Sequence, residues 1–335
     1  MLLLLLHLAT DAPHAASEPP QAEPLLLAPA KTSWKRTHYA LHQLHRPADG
    51  KPTTTIDAAA ASSLPLLASC VASAGGHWPR DPEYTDATLS FAFGEDLNRP
   101  LLLEELPFGT VAELPDSNRG GPTTGHRVWD AAVVLALFLR SGRGRGLLAE
   151  IGEGARVLEL GAGLGLPGLD LARAGLVQRV TLSDGNDRLV AQLRRAASRV
   201  HQKRGVPPTE LRVQRLDWSV ASELAAVQEQ RAAEVCLGSD LCYKACDVEP
   251  LAAALDRMRS RLTLLAAPTT RVASDALAVR LGELGAAVRE HTFTLVSSDA
   301  DAAGGERGEA HELHAAPFRV LEVRWPGASH HHEEL

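Results

Sequence analysis

The run Glu159-Leu160-Gly161-Ala162-Gly163-Leu164-Gly165 places a carboxylate immediately before three alternating glycines. Glycines at such a loop let the backbone approach a ligand closely and turn sharply from strand into helix. A dinucleotide fingerprint would need glycine at position 166, where Leu166 stands before Pro167, and no Gly-Lys-Ser/Thr follows to cradle a phosphate. Asp184 lies 23 residues past Gly161, the separation of a carboxylate that accepts from both hydroxyls of a ribose. Asp184-Gly185-Asn186-Asp187 also reads as a turn in which Asn186 or Asp187 caps a helix. Asp217-Trp218 offers a carboxylate to an adenine amino group and an indole to the base face, or equally a capping aspartate beside a core tryptophan. Ser239-Asp240-Leu241-Cys242-Tyr243 would set Asp240 and Tyr243 next to the nucleoside. Acidic groups around a glycine loop suit a cationic adenosyl ligand better than a polyphosphate, which seeks basic residues. S-adenosylmethionine, a sulfonium, is therefore the expected cofactor.

These residues must be positioned by a regular frame, and the chain after Gly125 supplies one. Trp129 to Arg140 is apolar enough for a helix buried along most of its surface. Apolar runs of strand length follow at Arg156–Leu160, Arg179–Ser183, Leu211–Leu216, Glu234–Leu237 and Arg261–Ala266, starting every 23 to 32 residues with helical patterns between. Pro167 suits the start of one helix and Gly175 its end. This alternation predicts a parallel sheet covered on both faces, with ligands beyond the carboxyl ends of the strands. Val288–Val296 and Pro317–Trp325 have no long helix between them and predict a closing antiparallel hairpin.

Composition bounds the rest. The chain has 335 residues and 45% hydrophobic content, enough for a sizeable core. Lys+Arg number 34 against 41 Asp+Glu, a net charge of −7 that argues against a phosphate backbone as main partner. Cys70, Cys236, Cys242 and Cys246 form neither a disulfide lattice nor a zinc spacing. No apolar run approaches the ~20 residues that span a bilayer. Leu2–Leu6 is shorter than a signal-peptide core and lacks a basic segment before it. A cytoplasmic protein is expected, with the nucleus and the leucine run leaving targeting open. The expected organisation is a low-complexity or partly disordered region at 1–80, strands and loops packing on the core at 81–122, a catalytic domain at 123–326 and a tail at 327–335. Trp34 to Leu44 reads as an isolated helix, Thr88–Phe93 and Pro100–Leu106 as short strands, and His330–His332 as a solvated tail.

Thr123-Thr124-Gly125-His126-Arg127-Val128-Trp129-Asp130, then Val157-Leu158-Glu159-Leu160-Gly161-Ala162-Gly163, Leu216-Asp217-Trp218 and Asp240-Leu241-Cys242-Tyr243 together resemble methyltransferase family 16, whose members include protein-lysine methyltransferases. Thr-Thr-Gly before the tryptophan is similar to the elongation factor 2 lysine methyltransferases, and Ser183-Asp184-Gly185-Asn186 to those of calmodulin. The resemblance covers residues 123 to 325. It implies an α/β class I (Rossmann-like) sheet of seven strands in the order 3-2-1-4-5-7-6, here with an N-terminal extension. It implies Glu159, Gly161 and Gly163 at the methionine part of the cofactor, Asp184 at the ribose, Asp217 and Trp218 at the adenine, and Trp129 in the pocket wall. Asp240 and Tyr243 would be the catalytic pair facing a lysine of a protein substrate such as a translation factor or calmodulin-like protein. Base methylases carry prolines after the fourth strand that Ser239–Tyr243 lacks, which with the net charge disfavours nucleic acid. A small-molecule acceptor and a non-catalytic cofactor-binding module remain as alternatives.

Overall fold

The computed structural model describes residues 35–43, 66–72, 87–93, 101–105, 124–152, 154–200, 208–229, 233–299 and 314–327. The leucine run, the histidine tail and most of the acidic loop after Asp299 lie outside them.

The frame is a sheet of five parallel strands: β5 (Arg156–Leu160), β6 (Arg179–Asp184), β7 (Glu210–Arg215), β8 (Val235–Ser239) and β9 (Leu262–Pro268). The closing hairpin is β10 (Ala287–Asp299) with β11 (His314–Arg324), and β11 pairs antiparallel with β9. The order β7-β6-β5-β8-β9-β11-β10 is the expected 3-2-1-4-5-7-6 arrangement. β5, β8 and β9 are buried along nearly their whole length, as strands covered on both faces must be. The edge strand β7 alternates exposed and half-buried residues, and its Glu210 and Arg212 join in an ion pair that blunts the edge.

Helices α1 (Asp130–Arg140), α2 (Gly142–Ile151), α3 (Leu166–Ala174) and α4 (Asp187–Ser198) precede or connect the first strands. α5 (Ala221–Glu229), α6 (Val248–Met258) and α7 (Val272–Glu283) follow β7, β8 and β9. α3 carries proline in its first turn and closes at Gly175 in the left-handed conformation, as its sequence predicts. Two apolar clusters cover the sheet. One joins Val157 of β5 to α1 and α3, and the other joins Leu158 and Leu160 to α6 and α7.

Four N-terminal strands extend the sheet beyond β10: β1 (Lys35–Gln43), β2 (Leu66–Ala72), β3 (Ala87–Phe93) and β4 (Leu101–Glu104), all antiparallel. Within the helix expected over Trp34 to Leu44, Lys35–Gln43 is instead a strand. Seven of its residues pair with β10 and five with β2, and ladder partners on both sides override local helical preference. β1 and β2 lie within the stretch whose composition reads as a tail, whereas β3 and β4 fall where short strands are expected. The extension curls back over the helices: Leu41, Phe91, Leu101 and Leu103 join the cluster around α1, and Gln192 of α4 donates to the Glu104 carbonyl at 2.9 Å. α1 therefore has apolar neighbours on every side, and all residues from Val133 to Leu139 are buried.

Candidate active site

The carboxyl ends of β7, β6, β5 and β8 lie side by side. They bring the glycine loop, Asp184, Asp217-Trp218 and Asp240 to one edge of the sheet. The loop leaves β5 through Gly161 and Gly163, at φ 51° and 56°, a left-handed backbone that L side chains adopt at a cost. Space is short as well. A Cβ on Gly161 would stand 2.6 Å from Leu241 Cδ2 and 3.1 Å from the Trp218 ring, and one on Gly163 2.9 Å from the Gly125 carbonyl oxygen. Trp218 therefore lies against the loop, and the short helical turn Thr124–His126 rests on its other side. Gly125 is a contact that periodicity could not find, because it comes from a segment preceding the whole α/β frame.

Asp184 ties the loop to the neighbouring strand. Its Oδ2 accepts from the Gly163 amide at 3.0 Å and its Oδ1 from the Asn186 amide at 2.9 Å. Asn186 caps α4, accepting from the Arg188 and Leu189 amides, so the turn reading and the ligand reading of this segment hold together. Burial pushes the Asp184 carboxyl above its usual range, against the backbone amides that stabilise the ionised form. The amides of Gly163, Gly185 and Asn186 do not use all four lone pairs of the carboxylate, which leaves it able to accept from a ribose hydroxyl.

Glu159 stands elsewhere. β5 alternates, so Val157 and Glu159 face α1 and α3 while Leu158 and Leu160 face the opposite layer. Glu159 is fully buried, and its Oε2 accepts from the Gly168 amide of α3 at 2.8 Å. Its Oε1 has no hydrogen-bond partner among the described residues. Burial pushes this carboxyl up to about 8, with the Gly168 amide acting downward and Asp184 upward. Glu159 thus ties the end of β5 to the start of α3.

Asp217 and Trp218 are half-buried at the end of β7. The Asp217 Oδ1 accepts from the Ser219 amide at 3.0 Å and the Ser219 hydroxyl at 2.6 Å, and the Asp217 amide donates to Glu223 at 2.7 Å. The turn-capping reading of Asp217 is therefore realised, with Trp218 beside it as the wall. Trp129, 44% exposed, stands at the N-terminus of α1, and the adjacent Val128 amide donates to Glu105 at 3.1 Å. The N-terminal extension is thereby fastened next to the loop.

Asp240 has a positive φ of 50°, which is uncommon for a residue with a Cβ. Its amide donates to the Ala266 carbonyl at 2.8 Å, and its carboxylate is gripped by Arg271 through two hydrogen bonds of 2.9 and 2.8 Å. Arg271 is a participant the sequence did not reveal: 31 residues separate the pair, and only the adjacency of β8 and β9 unites them. Tyr243 is 39% exposed, with the Lys244 ammonium 5.5 Å from its ring centroid. Cys236 and Cys242 are buried, while Cys246 is exposed.

The residues present fit an adenosyl sulfonium: a loop with no room for Cβ atoms, an indole laid against it, and the Asp184 carboxylate at the next strand end. Alanine at Asp184 removes the acceptor for the Gly163 and Asn186 amides and, if the edge holds an adenosyl group, the contact for its ribose. The expected result is a loss of about a hundredfold in S-adenosylmethionine affinity by calorimetry, the equivalent of ~2.7 kcal/mol. An unchanged affinity would show that Asp184 serves the loop alone.

Residues 112–276 match the family model described as lysine methyltransferase. The protein N-lysine methyltransferase METTL21A of Danio rerio is 34% identical over 116 residues, 35% of this chain and 47% of that protein. The chain thus matches about half the length of that curated relative. Among solved structures, a SAM-dependent methyltransferase from Agrobacterium tumefaciens is 14% identical with a TM-score of 0.44, covering 71% of this chain and 70% of that one. A precorrin-6y C5,15-methyltransferase from Geobacter metallireducens is 13% identical with a TM-score of 0.39, covering 55% and 89%. S-adenosylmethionine is the cofactor expected of such a protein. Over residues 112–276, just under half of its length, the chain is similar to the lysine methyltransferase family.

Proposed function

We propose that this protein is an S-adenosylmethionine-dependent methyltransferase acting on a lysine side chain of a protein. The observation that carries the reading is the fastening of Asp184 to Gly163 with Trp218 against Gly161, an adenosyl-shaped edge, in a chain whose residues 112–276 match lysine methyltransferases. The bound cofactor supplies a methyl group already activated on a sulfonium. The chain's own residues then contribute chiefly position and electrostatics, where effective molarities are worth ~7–11 kcal/mol. Asp184, Asp217 and Trp218 hold the nucleoside, the glycine loop admits the backbone of the ligand, and Trp129 closes the side. Asp240 and Tyr243 form the mouth through which an amine approaches. The amine gives its proton to water before its lone pair attacks carbon, so the mouth must disfavour the ammonium form. Elongation factor 2 and calmodulin are the first protein substrates to try, because the motifs resemble the methyltransferases of both.

The test has two steps. Calorimetry is expected to show S-adenosylmethionine binding, and tritiated methyl donor with heat-treated lysate is expected to label a protein band at lysine. Label in nucleic acid or small molecules alone would overturn the protein reading, and binding without any label would indicate a non-catalytic module.

A further inference from the structure

On the proposed reading, Asp240 at the end of β8 is the carboxylate that meets the incoming amine, and a lone carboxylate there would work against the reaction. An opposite charge within ~4–6 Å favours the ammonium form of an amine, and a lysine begins with a reference pKa of ~10.4. The fork from Arg271 changes this balance. Two parallel N–H···O bonds, Nε to Oδ1 at 2.9 Å and Nη2 to Oδ2 at 2.8 Å, join opposite charges while leaving each oxygen a lone pair. The Asp240 side chain is 11% exposed, so the guanidinium compensates its charge where water does so poorly.

We propose that Arg271 is a positioning residue that discharges and orients Asp240, so that the acceptor lysine is met by a hydrogen-bond acceptor and not by an anion that keeps it protonated. This rests on the reading of the site as an amine methyltransferase. Two further observations support it. Asp240 is held in its left-handed backbone by the bond from its amide to Ala266, so its carboxylate has little freedom. Arg271 flanks the start of α7, and its amide donates to Pro268, which fixes the guanidinium at the end of β9. The surrounding charges do not replace it. Lys244 lies over Tyr243, and its amide is bonded to Asp247, while Asp275 of α7 is paired with Arg319 of β11. Among the described residues, Tyr243 and Cys242 from the turn after β8 also face the pair, with Asp247 and Cys246 beside Cys242.

The test compares wild type, Arg271→Ala and Arg271→Lys, with tritiated methyl donor and heat-treated lysate as the acceptor pool, from pH 6.5 to 9.5. In Arg271→Ala the acidic limb of the rate profile is expected to move up by about one pH unit. That is a loss of about tenfold near neutrality that recovers on the alkaline side, with cofactor affinity by calorimetry unchanged. Arg271→Lys keeps the positive charge and is expected to keep the wild-type profile. A merely structural role would lower the rate equally at all pH values, and that outcome overturns the inference, as does a wild-type profile in Arg271→Ala. If Arg271→Ala does not fold, Arg271→Gln decides by the same criterion. Absence of label with wild type sinks the lysine reading itself, and this inference with it, whereas labelling by wild type with an unshifted variant sinks the inference alone.

Discussion

Replacing Glu159 by glutamine is expected to flatten the fall in stability between pH 5 and pH 8, to which the raised carboxyls of Asp184 and Glu105 also contribute. The Glu159 carboxyl titrates from an unfolded value of 4.5 to about 8 in the fold, chiefly because it is buried. A raised carboxyl pKa means the folded state keeps a proton that the unfolded chain releases. Stability is therefore highest below the unfolded value, falls by ~1.4 kcal/mol per pH unit through the window, and levels off above about 8. The bound on the effect is on the order of 4 kcal/mol across that range. Glutamine is nearly isosteric, and its carbonyl can still accept from the Gly168 amide. Denaturation midpoints of the two proteins at pH 5, 6.5 and 8 measure it, and equal slopes for both would show that Glu159 does not govern the window.

A second large effect belongs to the middle of α3. Asp170 is 1% exposed and receives Arg140 through bonds of 2.7 and 2.8 Å and Arg173 through one of 2.9 Å. Both arginines are themselves buried. Removing one partner from such a cluster leaves uncompensated charge away from water and costs ~3–5 kcal/mol. Asp170→Ala should lose that much in chemical denaturation, since two buried guanidinium groups would lose the carboxylate they share. A loss below ~1 kcal/mol would mean that water or a neighbouring carbonyl replaces the carboxylate. The consequence for function is indirect but definite: α1 and α3 flank the glycine loop, and Trp129 stands at the start of α1.

The extension gives the catalytic frame a second wall. Without Leu41, Phe91, Leu101 and Leu103, α1 would show water a fully apolar face. The helix between Trp129 and Arg140 already announced this need, because seven consecutive buried residues cannot be satisfied by one sheet. What covers it could not be read from composition, since strands rich in small and polar residues look like linker until ladder partners are known.

The sequence by itself determined the parallel frame, the hairpin and the places where chemistry gathers. Strand-length apolar runs at a steady interval force a covered parallel sheet, and such a sheet delivers its ligands to the carboxyl ends. Gly161, Gly163, Asp184, Trp218 and Asp240 follow from that rule because each lies within a few residues of a strand end. Side-chain direction and partnership were decided only in three dimensions. The two-residue period of β5 turned Glu159 under α3, the turn after β7 spent one oxygen of Asp217 on Ser219, and the junction of β8 with β9 brought Arg271 to Asp240. Local sequence carries the period of a strand, but the charge that a carboxylate presents depends on what packs against it.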